Sequence, residues 1–264
     1  MTGMQIFTPI NINGLTLKNR IAYPSMGLLY SLDRSVNDRY YHYYMEKARG
    51  GSALVTVGPV AVDNAGGMGV TLSLATDDHL DSFRRVARGI KEEGASPWVQ
   101  LFHAGGYAAS WLIGEQPMAP SAVYNDYAKE VPREMTIDDI ELTIENFIRA
   151  GERARDCGFD GVEIIGSAGY LITQFLSPIR NIRTDRYGGS FENRTSFPAE
   201  LIAGMRARLG KNFPIAIRMA GNDFIDGSNT DVEAPDIARV YERSGVDMIN
   251  VTGGWHEARI PQLP

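Results

Sequence analysis

The chain has 264 residues, 44 % of them apolar and 22 % charged, with 26 basic against 32 acidic side chains and a net charge of -6. That composition suits a globular domain and excludes a disordered one. The acidic balance excludes nucleic acid as the main partner, and the lack of an apolar run of about 18 residues excludes a membrane-spanning helix.

The N-terminus lacks a basic stretch followed by an apolar core, so no secretory leader is expected and the cytoplasm is the expected location. Along the chain, TPININGLTLKN reads as a short hairpin turning at Asn13-Gly14. RIAYPS follows as a strand, DRYYHYYMEKARGG as a helix closed by glycine, and SALVTVG as a continuous apolar strand. Such runs suit parallel strands covered on both faces. TDDHLDSFRRVARGIKEEG is a helix and SPWVQLFH a strand. TIDDIELTIENFIRAGERARDCG carries the clearest helical pattern, with Thr136 and Asp139 spaced as a capping box. Its Ile137, Ile140, Ile144, Phe147, Ile148 and Gly151 form one stripe, and Gly158 stops it. FDGVEII is a strand, SFPAELIAGMRARLG a helix, and FPIAIRM a strand. DVEAPDIARVYERSG is a helix whose Pro235 must sit in the first turn or bend it, and VDMINVT is the last strand.

Repeating strand–helix units predict a parallel α/β fold. Six strands are expected, beginning near residues 20, 52, 97, 160, 213 and 247. A doubly wound sheet could be built from six. However, Ser25, Gly58, Gln100, Tyr170, Arg218 and His256 all fall at or just after C-terminal strand ends. One mouth fed by every strand is the pattern of a (β/α)₈ TIM barrel, whereas a doubly wound sheet gathers its ligand groups at one switch point. A barrel would leave about two of its eight units outside this sequence.

Several residues have chemistry to offer. Tyr170 can donate a proton, although a lone tyrosine more often packs a loop. His256 follows the last strand after a Gly253-Gly254 turn, beside Trp255, Glu257 and Arg259. His103, at a strand end, is a site residue or a structural hydrogen-bonding group, while His42 and His79 lie in helical patterns. Gln100 projects from an apolar strand and can bind a heterocycle as donor and acceptor. Arg218, a charge inside an apolar strand, needs an anionic partner: Glu163 in a structural ion pair, or a ligand. The Gly66-Gly67-x-Gly69 loop matches no phosphate-binding fingerprint and reads as flexible. The one cysteine, Cys157, lies in a helical pattern. It cannot form an internal disulfide or a zinc cluster and reads as a buried structural thiol. No HExxH, paired-cysteine or GxSxG motif is present, so no metal site or nucleophilic hydrolysis is expected.

The segment LSPIRNIRTDRYGGSFENRTSF, with IFTPININGLTLKNRIAYPSM and VQLFHAGGYA, resembles the old yellow enzyme family of FMN-dependent ene-reductases. The similarity runs from about Phe7 to the end of the chain. Where many members carry two polar residues that hold the substrate carbonyl, Ile165 and Ala168 stand here. The ending GGWHEARIP is similar instead to bacterial 2,4-dienoyl-CoA reductases. The resemblance implies a single FMN-binding TIM-barrel domain over residues 1–264 with an N-terminal hairpin, cut after its sixth barrel strand. It implies FMN lined by Pro24, Ser25, Met26, Gly27 and Gly58, its ring held by Gln100, with Arg218 near N1 and O2. It implies Tyr170 and His256 as the acid machinery, with Arg183, Glu257 and Arg259 as candidate substrate-binding residues. NAD(P)H would be the reductant, and an unsaturated acyl-CoA or enone the substrate. A 4Fe–4S cluster and FAD are expected only in additional C-terminal chain. Bile-acid and enoate reductases and amine dehydrogenases or demethylases of the superfamily are the alternatives. So is an inactive fragment, whose open strand edges would favour self-association into a homo-oligomer.

Overall fold

The computed structural model describes residues 4–258. The chain begins with a hairpin of β1 (Ile10–Ile12) and β2 (Leu15–Leu17), turned by Asn13 and Gly14 at φ 46° and 83°. Left-handed φ at both central residues is what a two-residue turn between twisted strands requires. Next come β3 (Ala22–Tyr23), α1 (Asp38–Arg49), β4 (Leu54–Ala61), β5 (Leu72–Ser73), α2 (Leu80–Glu92) and β6 (Ser96–Phe102). Then follow α3 (Ser110–Ile113), β7 (Met118–Ala119), β8 (Arg133–Glu134), α4 (Ile137–Asp156), β9 (Gly161–Gly166) and α5 (Leu171–Leu176). The last are α6 (Phe191–Leu209), β10 (Ile215–Ala220), α7 (Ala234–Ser244) and β11 (Met248–Thr252). No helix among the described residues is long and apolar enough to cross a membrane.

The six expected strands pair in parallel in the order β3-β4-β6-β9-β10-β11, with β5 added against β4. Each strand lies beside its predecessor without reversal, which is barrel winding and not the doubly wound alternative. The sheet curls into a partial barrel with its helices outside.

The capping box of α4 is present: Thr136 Oγ1 accepts from Asp139 N, and Asp139 accepts from Thr136 N. Pro235 lies in the first turn of α7 and leaves that helix straight-started, as its fixed φ allows. Helix α6 begins earlier than expected, at Phe191 behind a Ser190 cap, so Pro198 sits inside it and not in its first turn. Helices α4 and α6 pack closely because Gly151 rests on Met205 and Gly204 on Ile148.

Alternation along the strands divides the molecule. Val55, Val57, Val99, Leu101, Val162, Ile164, Ile217 and Met219 face outward into the main core with the helices. The inward positions form layers. At the bottom, Leu54, Trp98 and Ala216 pack with Leu17, and the hairpin plugs this end. Above them come Gln100, Glu163, Arg218 and Asn250, and above those Phe102 and Ile165, which join an aromatic cluster at the mouth.

The bottom layer leaves no room at Gly161, where a Cβ would lie 2.6 Å from the Trp98 ring. Gly161→Ala is therefore expected to destabilise the protein by about 1–3 kcal/mol. Urea unfolding checks this: the midpoint falls while the slope stays constant.

Candidate active site at the barrel mouth

The segment Ser167–Tyr170 leaves β9 through a left-handed step, with Ala168 at φ 68° and Gly169 at φ 90°. Glycine is required at 169, because a Cβ there would come within 2.2 Å of the Tyr107 hydroxyl. Gln174 ties this loop to its neighbour: its Nε2 donates to the carbonyl of Gly169 at 2.7 Å, and its Oε1 accepts from Gly106 N at 2.9 Å. Tyr170 thereby caps α5 with its ring over the mouth, edge-on to Phe102 at 4.7 Å between centroids.

His256 arrives from the other side. After β11, Gly254 N donates to the carbonyl of Asn222, Trp255 N to that of Asp223, and His256 N to that of Ala168. These backbone bonds bring the imidazole Nε2 to 2.7 Å from the Tyr170 hydroxyl. Tyr127 stacks on the imidazole at 5.4 Å. Burial pushes the Tyr170 phenol well above its ordinary range and pushes the His256 imidazole below its own. The pair is thus a protonated phenol beside a neutral imidazole.

The polar layer beneath is arranged around Glu163, which is 2 % exposed. Its two oxygens accept from Gln100 Nε2 at 2.6 Å and Asn250 Nδ2 at 2.9 Å. Of the two partners open to Arg218 from the sequence, the ion pair with Glu163 does not form. Arg218 donates only a long 3.4 Å bond to Thr252 Oγ1, and no carboxylate pairs with it among the described residues. Gly58, at φ 140°, lies against this layer: a Cβ there would meet Gln100 O at 3.0 Å and Ser25 Oγ at 3.2 Å. Its N–H donates to the buried Tyr44 hydroxyl at 3.0 Å. The Ser25 hydroxyl is buried without a hydrogen-bond partner among the described residues.

The sequence pattern of the NADH:flavin oxidoreductase / NADH oxidase family matches residues 5–262. The chain belongs to that family. It is 44 % identical over 258 residues to a metal reductase of Desulforamulus reducens, covering 98 % of this chain and 39 % of the relative. The structure of 2-naphthoyl-CoA reductase in complex with 2-naphthoyl-CoA superposes with a TM-score of 0.93 at 32 % identity, over 96 % of this chain and 41 % of that one. An old yellow enzyme homologue from Zymomonas mobilis superposes with a TM-score of 0.86 at 25 % identity, over 97 % and 76 %. The chain therefore spans about two-fifths of the length of the first two of these proteins.

The residues present fit a flavin. Among the described residues, Arg218 is a cation that pairs with no carboxylate and Ser25 holds an unused buried hydroxyl, while Gly58 leaves a flat approach to the floor. Pro24, Met26 and Gly27 are exposed beside that approach, Gly27 within 3.8 Å of Pro59 measured from a built Cβ. An anionic or electron-rich planar ligand would satisfy all three features at once.

Other expected site residues are placed differently. Arg183 is buried in its own loop, donating to the carbonyls of Pro120 at 2.8 Å and Met135 at 2.6 Å and pairing with Asp185 at 2.6 Å. Those bonds occupy the guanidinium and leave it a loop staple, which corrects the substrate-binding expectation. Glu257 does lie at the mouth, held by Arg180 at 2.6 Å. Arg259 lies outside the described residues. His103 is buried, its Nδ1 accepting from Gly105 N and its Nε2 lying 3.6 Å from Asp63 without a hydrogen-bond partner among the described residues. The Gly66–Gly69 loop is packed and not loose, with Gly66 pressed on the His103 ring and Asp63 accepting from Gly66 N. Cys157 is buried, and burial pushes its thiol up to about 11. Sequence reasoning missed Asn250, which shares the inward parity of Gln100 and Arg218, and the mouth aromatics Tyr107 and Tyr127.

The buried His103 and the half-buried His256 both have their pKa lowered from 6.5 by desolvation. Unfolding therefore takes up protons below that value, so stability is full above it and is lost as pH falls. The melting temperature is expected to drop between pH 7 and pH 5, with a shallower slope for His256→Gln. An unchanged slope in that variant would show that His256 titrates alike in the folded and unfolded states, against a pKa lowered by burial.

Proposed function

We propose that this chain forms the FMN-binding reaction chamber of a reductase that saturates a C=C bond conjugated to a carbonyl, with NAD(P)H as electron source. The substrate class is an unsaturated or aromatic acyl-CoA thioester, or a related enone. The observation that carries this reading is the neutral Tyr170–His256 pair, 2.7 Å apart, above a floor containing the unmatched Arg218.

When bound, reduced FMN supplies a hydride. The chain's own residues do the rest. Arg218 offers a positive charge where a ring gains electron density, and Gln100 offers a carbonyl oxygen and a remaining amide proton to a heterocycle edge. Tyr170 delivers a proton to the substrate carbon that becomes electron-rich. His256, with Nε2 protonated, donates to the phenol oxygen and stabilises it as its proton leaves. Ile165 and Ala168 are buried and have apolar side chains, so neither supplies a side-chain donor to a substrate carbonyl. Flat rings at the mouth, Tyr107, Tyr127 and Phe102, favour a planar conjugated acyl group. The likeness to 2-naphthoyl-CoA reductase supports the thioester class. The single cysteine offers no ligand set for a 4Fe–4S cluster, so that cluster does not enter the reading for these residues.

Tyr170→Phe is expected to bind FMN as the parent does and to be reduced by NAD(P)H at the same rate. Its reoxidation by an unsaturated acyl-CoA is expected to slow by about 10²–10⁴-fold. Stopped-flow absorbance of the flavin separates the two half-reactions, and an unaltered oxidative rate would refute Tyr170 as the acid.

A further inference from the structure

The orientation of an amide is decided by what it faces. A carboxylate only accepts, so the groups bonded to Glu163 must be the NH₂ of Gln100 and the NH₂ of Asn250. Gln100 and Glu163 lie opposite each other in the β6–β9 register, and Gln100 is 3 % exposed. Neither amide can rotate without placing an oxygen against an oxygen in a buried site. Gln100 consequently keeps its carbonyl oxygen and one amide proton for whatever occupies the chamber.

We propose that Glu163 is a positioning residue for the flavin: it locks Gln100 with its carbonyl oxygen available to accept from the imide N–H of the ring. The inference rests on the FMN reading above. Glu163 touches no ligand itself. It acts through the two amides it accepts from. Neither Gln100 nor Asn250 has another carboxylate partner among the described residues.

Glutamine at position 163 supplies one acceptor and one donor where two acceptors are needed. One of the two amides must then flip. Glu163→Gln is expected to weaken FMN binding about tenfold, the scale of one net hydrogen bond. It is also expected to raise the flavin reduction potential, since a negative charge near the ring is removed. The reciprocal swap, Glu163→Gln with Gln100→Glu, restores a carboxylate–amide pair and an acceptor at position 100. It is expected to recover most of the lost affinity. FMN titration by fluorescence quenching and a dye-coupled potential measure both effects, with circular dichroism confirming the fold. A folded Glu163→Gln chain with parental affinity and potential overturns the proposal. A parent chain that takes up no FMN overturns the functional reading and this proposal together. If Glu163→Gln does not fold, the parent chain decides by NMR: slow solvent exchange of the Gln100 side-chain amide protons supports the lock, and the rate of a free amide overturns it.

Discussion

In a parallel strand successive side chains leave on opposite faces, so Gln100 and Arg218 reach the chamber only because Val99, Leu101, Ile217 and Met219 are claimed by the helices outside. A slip of one residue in any of these strands would send a charge into the helix layer and an aliphatic side chain into the chamber. The aliphatic core thus does more than stabilise the sheet. It sets which polar atoms face one another across β6, β9, β10 and β11. The hairpin and Trp98 close the bottom, so the polar layer sits on an apolar floor, shielded from water below and open to a ligand above.

That layer is costly to assemble. A buried carboxylate and a half-buried guanidinium on adjacent strands would ordinarily pair, yet here Glu163 is bonded to two neutral amides and Arg218 is left with one weak hydroxyl contact. Burial pushes the Glu163 carboxyl above its usual range, while Asn250, Gln100 and the Arg218 charge pull it back. Satisfying the carboxylate with amides keeps the cation uncommitted. An arginine already neutralised by Glu163 would have little field to offer an incoming electron-rich ring.

Much of this was legible in the sequence where the cause is local. The Asn13-Gly14 turn, the Thr136–Asp139 capping box and the six apolar strands each follow from neighbours within a few residues. Elements held by distant partners were not legible. Helix α5 has six residues and strands β7 and β8 two each, too short to show a period, and they exist because the loops around Tyr170 and Arg183 are tied down from elsewhere. The choice of partner for Glu163 was hidden for the same reason. The sequence left a pair with Arg218 as one of two alternatives, but register sets Gln100 opposite Glu163 and Arg218 opposite Ile165 and Asn250. Arg183 is the instructive contrast, since Asp185 two residues on is a local partner visible in the sequence.

The mouth shows why position is held by backbone and protonation state by burial. His256 is placed by three main-chain bonds from Gly254, Trp255 and its own N–H, so its side chain is free of structural duty. Its one strong side-chain contact is the Tyr170 hydroxyl. Enclosure by aromatic rings then acts on both partners in opposite senses, raising the phenol and lowering the imidazole. Each shift favours the uncharged form. A neutral donor pair suits a site that must surrender a proton only when negative charge develops on a substrate: the phenolate is poor in the resting state and is stabilised when the imidazole N–H and the substrate act on it together. On the proposed function, the same enclosure that makes Tyr170 a weak acid would make its proton transfer depend on the presence of a charged transition state, which is the discrimination a reductase needs between its substrate and bulk water.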